Sequence, residues 1–126
     1  MSKLKSIVEK ARKDGDVLAV IVYGSFARGE QYRDLDACVV LKPKSYGRLS
    51  LSQKKLRYLS AAPHGVDVKI LQQLPAYIQK RVFAEGKVVY AKDRKVLFDV
   101  AVDTHRMFED YKPIYEEYLK GVADAG

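Results

Sequence analysis

Asp34 and Asp36 are separated only by Leu35, and Asp67 stands between Val66 and Val68 about thirty residues further on. On a strand, alternate side chains share a face, so Asp34 and Asp36 point the same way, about 7 Å apart along the backbone. Asp67 falls in the middle of a second strand-like run, where Val66, Val68 and Ile70 would face helices while Asp67 and Lys69 face outward. Asp36 and Cys38 would share the corresponding outer face of their own strand. If the two strands are neighbours, three carboxylates meet on one open face. Two charges 4 Å apart cost about 4 kcal/mol at an effective dielectric of 20, so such a cluster makes sense when a divalent cation offsets it. The chain holds two histidines, His64 and His105, and one cysteine, Cys38, which cannot build a Cys/His zinc site. A metal must therefore sit on oxygens, which selects Mg²⁺ or Mn²⁺. Two such ions side by side lower the pKa of an attacking hydroxyl and take up charge on a leaving pyrophosphate, the chemistry of phosphoryl or nucleotidyl transfer.

Gly24-Ser25 supplies the other half of such a site. After a buried strand, Gly lets the backbone come close to a phosphate and Ser offers a hydroxyl, while the free N–H groups of a helix starting there attract an anion. Arg28 and Arg33 are near enough in sequence to add positive charge, although surface arginines that merely pair with Glu30 or Asp34 are the competing reading. Lys69 either neutralises the acidic cluster or touches nucleotide. Cys38 reads as a small buried hydrophobe, since nothing near it in sequence is arranged to activate a thiol. His64 and His105 read as turn and helix-surface residues. Tyr111, Tyr115 and Tyr118 recur at helical spacing, as packing residues or as a partner surface.

These residues need a scaffold, and its elements are legible. Leu4, Ile7, Val8 and Ala11 recur at helical spacing until Asp14-Gly15-Asp16 stops them. Val17 to Tyr23 is a continuous apolar run suited to a strand covered on both faces, and Leu35 to Leu41 reads as a second. A basic segment with Leu49, Leu51, Leu56 and Leu59 is helix-compatible and ends near Pro63 and Gly65. Val66 to Leu71 makes a third strand. Pro75 opens a helix whose apolar members are Tyr77, Ile78, Val82 and Phe83 and which Gly86 closes; Lys87 to Ala91 is a short fourth strand. Asp93 caps a long final helical segment, from about 93 to 120, that Pro113 bends or breaks. The expected class is α+β: a mixed sheet of about four strands backed by helices, without the repeated Gly-rich crossover of a dinucleotide fold.

Composition bounds the rest. With 126 residues, a net charge of +7 and no repeat or linker, the chain reads as one basic domain spanning residues 1–126. A domain of this size buries roughly two-thirds of its unfolded surface, so it needs neither disulfide nor structural metal. One cysteine and no signal-type opening favour a reducing, cytoplasmic setting, and the longest uncharged apolar run is far short of the ~20 residues that cross a bilayer. The positive charge is spread along the chain, so direct nucleic-acid binding is not expected to dominate.

Gly24-Ser25, Asp34-x-Asp36 and Asp67, in that order, resemble the nucleotidyltransferase superfamily typified by DNA polymerase beta. They are most similar to its minimal nucleotidyltransferase (MNT) members, small proteins often encoded beside HEPN-domain partners. Phe26-Ala27-Arg28-Gly29-Glu30 adds to the likeness, which is good over roughly residues 17 to 71. The family usually places about ten residues between Gly-Ser and Asp-x-Asp, often with Ser-Asp entering the strand; here the interval is eight and reads Arg33-Asp34. The resemblance implies a palm-like nucleotidyltransferase fold in which Asp34 and Asp36 bind two Mg²⁺ ions. Asp67 would bind one of them and help activate the acceptor, while Gly24, Ser25, Arg28 and Arg33 hold a nucleoside triphosphate. It further implies ATP as donor and a hydroxyl as acceptor, here a tyrosine of a HEPN-type toxin ribonuclease, which makes the chain an antitoxin. The alternative is a binding module with a vestigial catalytic face that neutralises a partner by contact.

Overall fold

The computed structural model describes residues 4–24 and 35–125, with side chains as far as 109. The chain runs α1 (Lys5–Lys13), β1 (Val17–Tyr23), β2 (Leu35–Leu41), α2 (Arg48–Ala61), β3 (Val66–Ile70), a single 3₁₀ turn (Leu71–Gln73), α3 (Ala76–Glu85), β4 (Lys87–Ala91) and α4 (Arg94–Ala125). The strands form one sheet in the order β3-β2-β1-β4. β1 is antiparallel to both β2 and β4, whereas β2 and β3 run parallel. The expected mixed sheet of four strands is therefore present, and the antiparallel hairpin-like centre carries one parallel edge.

Alternation along β1, β2 and β3 sends two sets of apolar side chains to opposite faces. Val20, Val22, Ala37, Val39, Val68 and Ile70 pack with Ile7 and Ala11 of α1 and Tyr58 of α2. Ile21, Cys38 and Val40 pack with Val82 of α3 and Leu97 of α4 on the other face. β1 is buried on both sides, which is why its seven residues carry no polar interruption. A register shift between Val17 and Ala19 lets neighbouring Leu18 and Ala19 both join the second cluster. Burying one such Val, Leu or Ile side chain contributes about 1.5–3 kcal/mol, so the two clusters are the principal source of stability.

Helix ends follow local chemistry. Asp93 caps α4 as expected: the Val96 N–H donates to its carboxylate Oδ1 at 3.1 Å and the Leu97 N–H to its carbonyl. α4 is continuous across Pro113, so of the bend or break expected there the break is not present. Tyr111, Tyr115 and Tyr118 have side chains outside the described set.

The expected helix is α2, and its inner face carries Tyr58 with Leu51 and Leu59 packed beside it. Leu49 and Leu56 are 72% and 63% exposed, while Tyr58 is fully buried. Its hydroxyl donates to Asp14 Oδ2 at 3.0 Å, and Lys54 Nζ donates to both oxygens of the same carboxylate at 3.1 and 2.8 Å. A polar anchor at the α1–β1 turn thus joins Leu51 and Leu59, which pack against the core, in setting the rotation of α2.

Candidate active site

β1 ends at Gly24, whose φ of +83° lies in the left-handed region that costs a side chain about 1–2 kcal/mol. Space is as restrictive as conformation: a Cβ at Gly24 would stand 2.7 Å from Asp36 Oδ2. The turn out of β1 therefore lies against the carboxylate of the neighbouring strand, and glycine is what permits that approach.

Because β1 and β2 are antiparallel and β2 and β3 parallel, the end of β1 and the starts of β2 and β3 share one edge of the sheet. Tyr23 is opposite Asp36, and Asp36 is in turn opposite Asp67. Register partners on adjacent strands lie about 4.8 Å apart with side chains on one face. Asp36 and Asp67 thus come together as the neighbouring-strand condition required. The helices α3 and α4 cover this face over Ile21, Cys38 and Val40. Asp67 at the sheet's edge keeps a side chain 44% exposed.

Lys69 follows Asp67 by two residues, so it shares that face, and its Nζ is 3.2 Å from Asp67 Oδ2. Of the two roles left open for Lys69, the structure shows the neutralising contact. Tyr23, which had not been singled out, belongs to the same group. Burial pushes its phenol well above the usual tyrosine range, and the nearby Cys38, Asp36 and Asp67 push it the same way, so it stays a neutral phenol. Parity along β1 was the available signal: Tyr23 is two residues after Ile21, on the face that Asp36 and Cys38 share. Cys38 is fully buried, and burial drives its thiol far above the ordinary range, which leaves a packing residue and no nucleophile.

Ser25, Arg28, Arg33 and Asp34 lie outside the described residues. Among the described residues no three His, Cys, Asp or Glu side chains gather closely enough to hold an ion, and the pair Asp36–Asp67 is the acidic couple present at this edge. The pair fits a hard divalent cation on two grounds. Its donors are all carboxylate oxygens, and an ammonium group already stands beside one of them as a positive countercharge. His64 is in the exposed turn before β3, and His105 lies on the surface of α4 beside Glu109; among the described residues neither joins a group of three possible metal ligands.

An edge at which a left-handed glycine turn meets paired strand carboxylates, on a four-stranded mixed sheet between helices, is the architecture of a nucleotidyltransferase. The chain belongs to the family described as Polymerase beta, Nucleotidyltransferase, whose model matches residues 3–95. A Methanocaldococcus jannaschii protein that carries the provisional name of protein adenylyltransferase is 24% identical over 111 residues, 86% of this chain and 77% of its own. Among solved structures, a toxin–antitoxin complex with AMP-PNP contains a chain with a TM-score of 0.71 and 19% identity, over 94% of this chain and 97% of that one. A complex of a tri-AMPylated Shewanella oneidensis HEPN toxin with its MNT antitoxin gives a TM-score of 0.69 at 16% identity, over 97% and 94%. These likenesses confirm the fold expected from the Gly-Ser and Asp-x-Asp motifs.

Proposed function

We propose that this chain is a magnesium-dependent nucleotidyltransferase that moves AMP from ATP to a protein hydroxyl, the acceptor being a tyrosine of a HEPN-type toxin, and that it acts as the antitoxin. The observation that carries the reading is the register of Asp36 beside Asp67, with the Gly24 turn laid against Asp36. The name of the archaeal relative and the AMPylated toxin in the Shewanella complex support the choice of donor and acceptor.

In this reading Asp34 and Asp36 hold two divalent cations and Asp67 shares one of them. Bound there, Mg²⁺ lowers the acceptor's pKa and neutralises charge on the departing pyrophosphate; Mn²⁺ serves the same donor set. Asp67 receives the proton of the acceptor hydroxyl, directly or through water. The acceptor oxygen forms a bond to the α-phosphorus as the bond to the bridging oxygen of pyrophosphate breaks. The products are the adenylylated hydroxyl, pyrophosphate and one proton. Gly24 and Ser25 present backbone N–H groups and a hydroxyl to the triphosphate, and Arg28 and Arg33 add charge complementary to it.

The test is transfer of label from ATP marked at the α-phosphate to a HEPN-domain toxin, in Mg²⁺. Label on a tyrosine, with loss of at least ~10³-fold in rate for Asp36→Ala, is expected. Absence of transfer from any nucleoside triphosphate, with Asp36→Ala still neutralising the partner, would instead establish a binding module.

A further inference from the structure

Lys69 is placed by the same strand alternation that places Asp67. On β3 the two are separated by Val68, whose side chain is buried on the opposite face, and the register partner of Lys69 on β2 is Cys38, two residues beyond Asp36. Its ammonium lies 3.2 Å from Asp67 Oδ2, with 36% of the side chain exposed against 44% for Asp67. A strand position on the rim of a covered face accepts many side chains; a lysine there puts a positive charge where two carboxylates converge.

We propose that Lys69 is a built-in counter-ion that occupies Asp67 while the site holds no metal and is displaced when a divalent cation binds, so that it sets the cation affinity of the site. The inference rests on the preceding reading of Asp36 and Asp67 as cation ligands. A carboxylate oxygen coordinating Mg²⁺ has its cation at about 2.0–2.1 Å, and an ammonium within hydrogen-bonding reach of the same oxygen would stand against a doubly charged neighbour. Both cannot be held in full. The lysine is the partner able to leave, because its ion pair is partly exposed and hence weak, and its flexible stem returns a strongly hydrated head to water. Without a cation, the same lysine offsets part of the negative charge where Asp36 and Asp67 converge. The edge thereby stays assembled between binding events, at the expense of affinity for free metal.

Mn²⁺ binding to the full chain, followed by the electron paramagnetic resonance of free Mn²⁺ without nucleotide, tests this. Lys69→Met should bind about fivefold more tightly than wild type, which corresponds to about 1 kcal/mol at 1.4 kcal/mol per tenfold, and Lys69→Arg should stay near wild type. The rise in unfolding temperature on adding Mn²⁺ should likewise be larger for Lys69→Met. Lys69→Gln, which keeps a polar head, repeats the measurement should the methionine variant fold poorly. Asp67→Asn should weaken binding at least about tenfold in either background. Equal or weaker Mn²⁺ binding by the neutral variants, with Asp67→Asn still impaired, overturns the counter-ion role alone. Unaltered binding by Asp67→Asn overturns the ligand assignment and the counter-ion role with it.

Discussion

Gly24 links backbone geometry to chemistry more directly than any other described residue, because its positive φ and its contact with the Asp36 carboxylate arise at one atom. Gly24→Ala is expected to lower stability by about 1–2 kcal/mol, through the left-handed backbone, and to displace Asp36 by the intrusion of a methyl group. Transfer activity should fall by more than about tenfold beyond what reduced folding explains, since sub-ångström errors at reacting groups are costly. Gly15→Ala is the control: no atom lies within 4 Å of its added Cβ, and steady-state assays with urea unfolding should find it near wild type in both respects. Cys38 makes a second residue-level prediction. Its buried thiol should react with a disulfide reagent only as fast as the chain unfolds, and rapid modification of folded protein would contradict the packing described.

At the scale of elements, strands were legible because their burial is written in composition. Val17 to Tyr23 and Leu35 to Leu41 match the observed β1 and β2 since an unbroken apolar run has few other places to go. The alternation of Val66, Asp67, Val68 and Lys69 was legible for the same reason, and it correctly set Asp67 and Lys69 apart from their apolar neighbours. What local pattern does not encode is which strands pair and in what register. The Asp36–Asp67 pairing depends on a parallel crossover through α2, and that is decided by tertiary packing. The orientation of α2 shows the limit most clearly. Its leucines indicate a helix without fixing which face is buried: Leu51 and Leu59 pack inward and Leu49 and Leu56 point outward, while the Asp14 carboxylate holds Tyr58 and Lys54 inward. Tyr58→Ala should therefore cost about 3–5 kcal/mol, whereas Leu56→Gln should stay within about 0.5 kcal/mol, both read from urea unfolding. The reverse order would contradict the orientation of α2 described above.

On the scale of the whole molecule, an excess of positive charge surrounds a few carboxylates that matter, and their partners make stability depend on acidity. Burial alone would raise Asp14, but hydrogen bonds from Lys54, the Asp16 backbone N–H and Tyr58 outweigh it and hold the carboxyl below its ordinary value of 3.8. Asp16 is held down chiefly by its hydrogen bond from Lys44. A depressed carboxyl contributes stability that is present above the unfolded-state value and lost as pH falls through the folded-state one. Asp14→Asn should thus be less stable than wild type by about 1–2 kcal/mol near neutrality, with the gap closing below about pH 4. A gap that stays constant on acidification would remove Asp14 from that role. No helix among the described residues is long and apolar enough to cross a membrane. The measurement that bears most directly on the whole account is a crystal structure with Mn²⁺ and a non-hydrolysable ATP analogue, read by anomalous scattering. Mn²⁺ lodged between Asp36 and Asp67, with the analogue's α-phosphate beside it and its phosphates over Gly24, is the expected result. Manganese and nucleotide bound elsewhere on the chain, with those two carboxylates uncoordinated, would contradict it.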